Sequence, residues 1–172
     1  MGHIDELLVS KIEASQVKAP ATAMSHLAAT DIADSASALA MDSSYINKIT
    51  FSALDAATKT VTLPTFSNIG ETVTIIQKVN LLNNGVLNID CAGDQSFDTG
   101  SYASFVAASE TTGFDTATAG ETKLTLTGAD TNSGVGAGSK VKLTYVGADK
   151  ILCECLCQPL GTGSNSAAAF AA

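Results

Sequence analysis

The residues best equipped for chemistry in this chain are its four cysteines, three of which alternate as Cys153, Cys155 and Cys157. In an extended strand that spacing puts the three sulfurs on one face, with Leu152 and Leu156 on the other. Neighbouring members of such a row stand too far apart and too parallel to bridge each other comfortably. With Cys91 as a fourth ligand the set would make a thiolate metal site. Structural zinc, however, is usually held by paired Cys-x2-Cys knuckles, which are missing here. The pattern therefore favours free thiols buried as small hydrophobes, with an inter-subunit disulfide as the alternative. No metal and no cofactor is expected.

Other groups support chemistry less well. Gly134-Val135-Gly136-Ala137-Gly138-Ser139-Lys140 has the glycine content of a phosphate loop. Yet Ser139-Lys140 reverses the required Lys-Ser/Thr order and leads into a strand pattern instead of a helix, so it reads as a wide turn. Asp90, Asp94 and Asp98 could line a calcium loop, but their spacing of four is not that of an EF-hand, and solvated loop acids are the simpler reading. The two histidines, His3 and His26, lie near the N-terminus, away from any nucleophile in the later strands. No Gly-x-Ser-x-Gly elbow is present, and no carboxylate pair can be picked from the scattered acids. The chain is not expected to be an enzyme.

The elements that would position these groups are mostly strands. In Val61-Thr62-Leu63-Pro64 and again in Val73-Thr74-Ile75-Ile76, apolar and threonine side chains alternate, the signature of a sheet with one dry face. The same grammar runs from Tyr45 through Ile49 and Phe51, Val86–Asp90, Tyr102–Ala107, Thr122–Thr127, Lys140–Val146 and Ile151–Cys157. Asn83-Asn84-Gly85 is a hairpin signal and Gly147-Ala148-Asp149 a turn. Residues 108–120 and Asp130–Gly138 read as loops. The expected core is Phe51, Leu63, Ile75, Ile89, Leu126, Leu143 and Ile151.

Both ends differ from this body. Ile4, Leu7, Leu8 and Ile12 mark one face of a helix over residues 4–18, with Asp5 and Glu6 in its first turn and Pro20 after it. A helix that short is marginal alone and has to dock. Residues 20–44 are rich in Ala, Ser, Thr and Asp, with weak helicity expected around Asp31–Met41. The tail from Pro159 is Gly/Ser/Ala-rich and would be flexible by itself. The expected organisation is a helix and extended arm over 1–44, a β-sandwich domain over 45–158, and a tail over 159–172.

With 17 acidic against 9 basic residues the net charge is -8, and every basic residue is lysine. Without arginine forks or clustered positive charge, nucleic acid is not an expected partner, nor is an anionic membrane. No apolar run approaches the roughly 20 residues that span a bilayer. Met1-Gly2-His3-Ile4-Asp5-Glu6 lacks the basic start and apolar core of a signal peptide, so synthesis in a cytoplasm is expected.

From Val61 onward the chain resembles a β-module of phage virion proteins found in tail fibres, spikes and capsid decoration. The resemblance rests on the strand ending Val61-Thr62-Leu63-Pro64 and on Gly70 before Val73-Thr74-Ile75-Ile76. It continues through the Gly85–Ile89 strand with Gly93 after it, then Gly138-Ser139-Lys140-Val141-Lys142-Leu143 with Tyr145 and Gly147. It covers residues 61–151, about half of the chain. Such modules often close on an aromatic, commonly Trp, where this chain has Ile151-Leu152-Cys153, and residues 108–120 look like an insertion.

The resemblance implies an all-β, jelly-roll-like sandwich or barrel. It also implies a virion structural protein of the capsid cement (decoration) type, made in the host cytoplasm and carried on the capsid surface. Its partner would be the major capsid protein and its state a homotrimer. The first 45 residues have no counterpart in the module; by their own helical spacing Ile4, Leu7, Leu8 and Ile12 are the expected docking face. The alternative is a tail-fibre or spike module that binds a receptor or glycan.

Overall fold

The computed structural model describes residues 32–35, 37–82, 84–106, 112–128, 134–159 and 168–172. The expected helix over 4–18, with Ile4, Leu7, Leu8 and Ile12, lies outside the described residues. So do His3 and His26.

The described chain is nearly all β. Its strands are β1 (Leu39–Ala40), β2 (Lys48–Ser52), β3 (Thr58–Thr62), β4 (Thr72–Gln77), β5 (Val86–Asp90) and β6 (Ser96–Phe97). They continue with β7 (Tyr102–Val106), β8 (Thr112–Thr116), β9 (Lys123–Thr127), β10 (Val135–Gly147), β11 (Lys150–Pro159) and β12 (Ala168–Ala171). They form two sheets. The smaller has the order β1-β3-β5-β9-β12; the larger runs β2-β4-β10-β11-β7-β8, with β6 beside β11.

From β1 to β5 the chain alternates between the sheets, so β3 pairs in parallel with both β1 and β5, and β2 with β4. Later pairings are mainly antiparallel, above all the long β10–β11 ladder. Both sheets are open, which removes the barrel and is compatible with a sandwich.

Period two decides what each strand buries. Val61, Val73, Ile75, Leu87, Ile89, Leu124, Leu126, Val141, Leu143 and Ile151 are all buried between the sheets. Leu63, after β3, joins them, so six of the seven expected core residues are placed as expected. Phe51 is the exception. On β2 the hydroxyl residues Thr50 and Ser52 point inward, while Ile49 and Phe51 point out, 41% and 37% exposed. Alternation defines two faces but not which one is dry, and on this edge strand the apolar face is the wet one.

Other expectations are corrected by long-range pairing. Asn84 does adopt a left-handed backbone (φ 61), but β4 and β5 belong to different sheets, so the Asn-Gly pair joins no hairpin. Gly85 is required instead by a close approach, since a Cβ there would lie 2.7 Å from the Asp55 carbonyl oxygen. Within the expected 108–120 loop, Thr112–Thr116 forms β8 against β7. Val135 and Gly136, expected in a turn, begin β10.

The sheets also recruit residues assigned to the arms. Ile32 bridges Ser52 and is fully buried, and Leu39–Ala40 extends the smaller sheet, so Ile32, Leu39 and Ala40 pair as strand where weak helicity was expected. At the other end β12 pairs with β9, and Phe170 meets Phe97 edge-on with ring centroids 5.1 Å apart. The Phe170 N–H donates to Asp115 Oδ2 at 2.8 Å, tying β12 of one sheet to β8 of the other.

Candidate interaction surface

The outward residues of the larger sheet line up across its six-strand path. Phe51 registers with Ile76, Ile76 with Lys140, Lys140 with Leu156, Leu156 with Ser104, and Ser104 with Phe114. The adjacent row runs Ile49, Thr74, Lys142, Glu154, Tyr102, Thr116 by the same pairings. Leu156 and Phe114 are 49% and 61% exposed. Single exposed apolar side chains need no explanation, but several registered across one sheet face form a patch of the kind that marks interaction sites.

Charge on this face is distinctive. Lys140 and Lys142 sit between the two apolar flanks, and Lys78 places its Nζ over the Phe51 ring at 5.7 Å. Lys142 pairs with Glu154 at 3.1 Å, both side chains being partly exposed. These lysines stand out on a chain of net charge -8. Tyr102 and Phe114 stack on the far flank, with ring centroids 5.7 Å apart and planes 14° from parallel. Phe105 belongs to the same strand as Tyr102, β7.

The opposite outer face, on the smaller sheet, carries mainly Thr58, Thr60, Thr62, Asn88, Thr125 and Thr127, with Val86, Asp90, Lys123 and the small Ala169 and Ala171 beside them. Three of its polar side chains are linked into a rung, while Asp90 Oδ1 on the same face is buried without a partner. The Thr125 hydroxyl donates to Asn88 Oδ1 at 2.9 Å, and Asn88 Nδ2 reaches Thr60 Oγ1 at 3.5 Å.

Loops at one end of the larger sheet are held by buried amide chemistry. Gln95, almost fully buried, accepts the Phe66 N–H at 3.1 Å and donates to the Phe66 carbonyl at 2.9 Å. The Phe66 ring stacks on Tyr145. Glu71 Oε2 accepts the N–H groups of Ser67 and Asn68, and Oε1 takes the Asn68 amide.

Three cysteines line the inner side of β11, as alternation predicts. Cys153, Cys155 and Cys157 are buried, and Cys91 is half-buried against the core. Expected separation fails for one pair, because Cys155 and Cys157 have their Sγ atoms 3.6 Å apart. Burial pushes the Cys91 thiol up to about 12, and burial also raises Cys153 strongly. Hydrogen bonding from Cys155 lowers Cys157, and the same contact raises Cys155.

Among the described residues no three His, Cys, Asp or Glu side chains converge on a metal position. The candidate calcium acids disperse as well: Asp94 lies in an exposed turn, and Asp98 Oδ1 is used by the Gly100 N–H at 2.8 Å. Ser139, from the glycine-rich run, is buried in β10, where its hydroxyl accepts from Gln158 N–H and donates to the Gly136 carbonyl. That run therefore carries sheet structure where a phosphate loop would need a helix.

No protein-family model matches the chain, and neither does any curated protein or solved structure. Among the described residues no helix is long and apolar enough to cross a membrane.

Proposed function

We propose that this chain is a structural protein of a phage virion, a capsid cement protein that stabilises the head by binding the lattice of the major capsid protein. The observation that carries this reading is the outer face of the larger sheet, where exposed Ile49, Phe51, Leu156 and Phe114 flank a lysine strip. The resemblance of residues 61–151 to virion β-modules points the same way. In this reading the sandwich is a jelly-roll-like variant, and residues 4–18 form a short helix whose Ile4, Leu7, Leu8 and Ile12 also dock on the capsid.

The mechanism is area multiplied by valency. Each face offers a few apolar side chains, worth about 25 cal/mol per Å² removed from water. A homotrimer presents three such faces at once, so its second and third contacts form at high effective concentration. No reaction, cofactor, nucleic acid or membrane enters this role.

A second reading, a receptor- or glycan-binding module of a tail or spike, is favoured by the exposed Tyr102–Phe114 stack, since aromatic faces pack against sugar rings. Copy number separates the two. Densitometry of purified virions is expected to give a stoichiometry near that of the major capsid protein; a dozen or so trimers per particle would overturn the cement role in favour of the spike. Deleting residues 1–20 is expected to leave a folded trimer that no longer decorates heads. Normal decoration by that truncation would remove the arm from the docking surface.

A further inference from the structure

Two thiols at alternate positions of a flat strand have Cα atoms about 6.7 Å apart, at the upper limit for a disulfide. Cys155 and Cys157 come closer than that spacing suggests, with Sγ atoms at 3.6 Å. The cause lies in the partner strand. Between the pairs Gly136↔Gln158 and Lys140↔Leu156, β10 carries Ala137, Gly138 and Ser139 opposite the single residue Cys157. Gly138 takes φ 91 there, and the Ser139 hydroxyl replaces the lost ladder contact by accepting the Gln158 N–H at 2.8 Å. Such a bulge increases local twist, which turns neighbouring side chains out of parallel.

We propose that Cys155 and Cys157 form an oxidisable dithiol, a modification site that closes to an intrastrand disulfide when a hydroperoxide reaches Cys157. Cys157 retains 7% exposure, whereas Cys153 and Cys155 retain none, so within this row a small oxidant meets Cys157 first; the more open Cys91 is held as a thiol by its burial and by Asp90. The Cys155 S–H contact that lowers the Cys157 thiol also favours its thiolate, the nucleophilic form.

In the first step the Cys157 sulfur attacks the peroxide, the O–O bond breaks, and a sulfenic acid forms. The departing oxide takes up the thiol proton and leaves as water, or as alcohol from an organic hydroperoxide. In the second step the Cys155 sulfur attacks the sulfenic sulfur, the S–S bond forms, and hydroxide leaves with the Cys155 proton as water. Two thiols lose two electrons and one peroxide gains them.

Closing so short a loop constrains the unfolded chain little, so the effect of the bond is local. It falls on Leu156, the residue between the two thiols, which lies on the outer row of the larger sheet. Oxidation would fix the Leu156 backbone and alter docking. That consequence, unlike the bond, rests on the cement role proposed above.

The test uses the reduced full-length chain treated with a few equivalents of hydrogen peroxide under native conditions. Remaining thiols are then blocked with iodoacetamide in denaturant, and the intact mass and fragment ions are read. Two of the four thiols are expected to become unreactive with no oxygen retained, the fragment ions placing the bond between Cys155 and Cys157. Cys153→Ser is expected to keep the bond and Cys157→Ser to abolish it; the wild-type fragment map decides the matter if either variant fails to fold. A bond using Cys91 or Cys153, a disulfide-linked dimer, a stable sulfinic acid beside a free Cys155, or four free thiols would each overturn the site. Head binding by the oxidised chain reads the consequence separately: several-fold altered affinity supports it, and unchanged affinity with the bond mapped overturns the docking effect alone.

Discussion

The outer faces of the two sheets differ in what they leave unsatisfied. On the smaller sheet, Thr60, Asn88 and Thr125 form a rung of side-chain hydrogen bonds. On the larger sheet, Ile49, Phe51, Leu156 and Phe114 stay exposed around lysines. Assembly differs as well. The larger sheet contains two pairings between consecutive strands, β7–β8 and β10–β11, whereas no neighbours in the smaller sheet are consecutive. One face carries a hydrogen-bonded side-chain rung, and the other carries exposed apolar side chains around lysines.

The contrast can be broken outright at the crossing of the chain between the sheets. Gly128, just after β9, has no space for a side chain: a Cβ would lie 2.0 Å from the Leu81 carbonyl oxygen. Gly128→Ala has to displace backbone and is expected to cost about 3 kcal/mol, at the upper end for overpacking. In a chain of this length that lowers Tm by about 10 °C in calorimetry. An unchanged Tm would mean that the Leu81 segment yields freely.

Next in size is the effect on association. Replacing Ile49 and Phe51 together by Thr removes apolar surface that already faces water, so stability is expected to change by less than about 1 kcal/mol. Head binding is expected to fall at least about tenfold, equivalent to 1.4 kcal/mol. Thr60→Val with Thr125→Val on the other face is expected to leave binding unchanged. Equal losses from both pairs in a sedimentation assay would erase the distinction between the faces.

How much of this was legible in the sequence depends on which residues fold locally. Val61, Val73, Ile75, Leu124, Leu126, Val141 and Leu143 are buried as their alternation predicts. The orientation of Phe51 was not legible, because alternation leaves open which face of an edge strand meets water, and here Thr50 and Ser52 face in. Asn84-Gly85 misled because local turn chemistry says nothing about whether flanking strands share a sheet. Strand β12 was hidden by its alanines, weak strand formers whose only clue was Phe170. The 3.6 Å approach of Cys155 and Cys157 follows from a bulge in another strand, to which only the glycines near Gly138 pointed.

A smaller change sharpens the local side of the comparison. In the β10–β11 hairpin, Ala148 and Asp149 both hold left-handed backbones, φ 51 and 56, between the paired Gly147 and Lys150. These are the central positions of a type I′ turn, for which Asn-Gly is preferred. Left-handed backbone costs an ordinary L-residue roughly 1–2 kcal/mol. Ala148→Asn with Asp149→Gly is therefore expected to stabilise by about 1 kcal/mol, seen as a higher urea midpoint with unchanged slope.

The weakest effect expected is electrostatic and belongs to the loop at the end of the larger sheet. Hydrogen bonds from the Asn68 amide, then from the Ser67 and Asn68 N–H groups, hold the Glu71 carboxyl below its ordinary value of 4.5. A depressed folded value means that the unfolded chain binds the proton more readily. The contribution is thus complete above the unfolded value, near pH 4.5, and is lost as pH falls through the lower folded value. Asp34 and Asp42 are lowered too, by the Asp55 backbone and the Ser44 side chain, so the wild-type acid slope is shared. Glu71→Gln is expected to be less stable than wild type at pH 7 and to lose less of its stability on acidification. Urea midpoints measured from pH 7 to pH 3 would therefore converge for the two proteins. Parallel curves would mean that the charge on Glu71 does nothing its amide cannot do, and that the loop beneath Ile69 is held by Gln95 and the Phe66–Tyr145 stack instead.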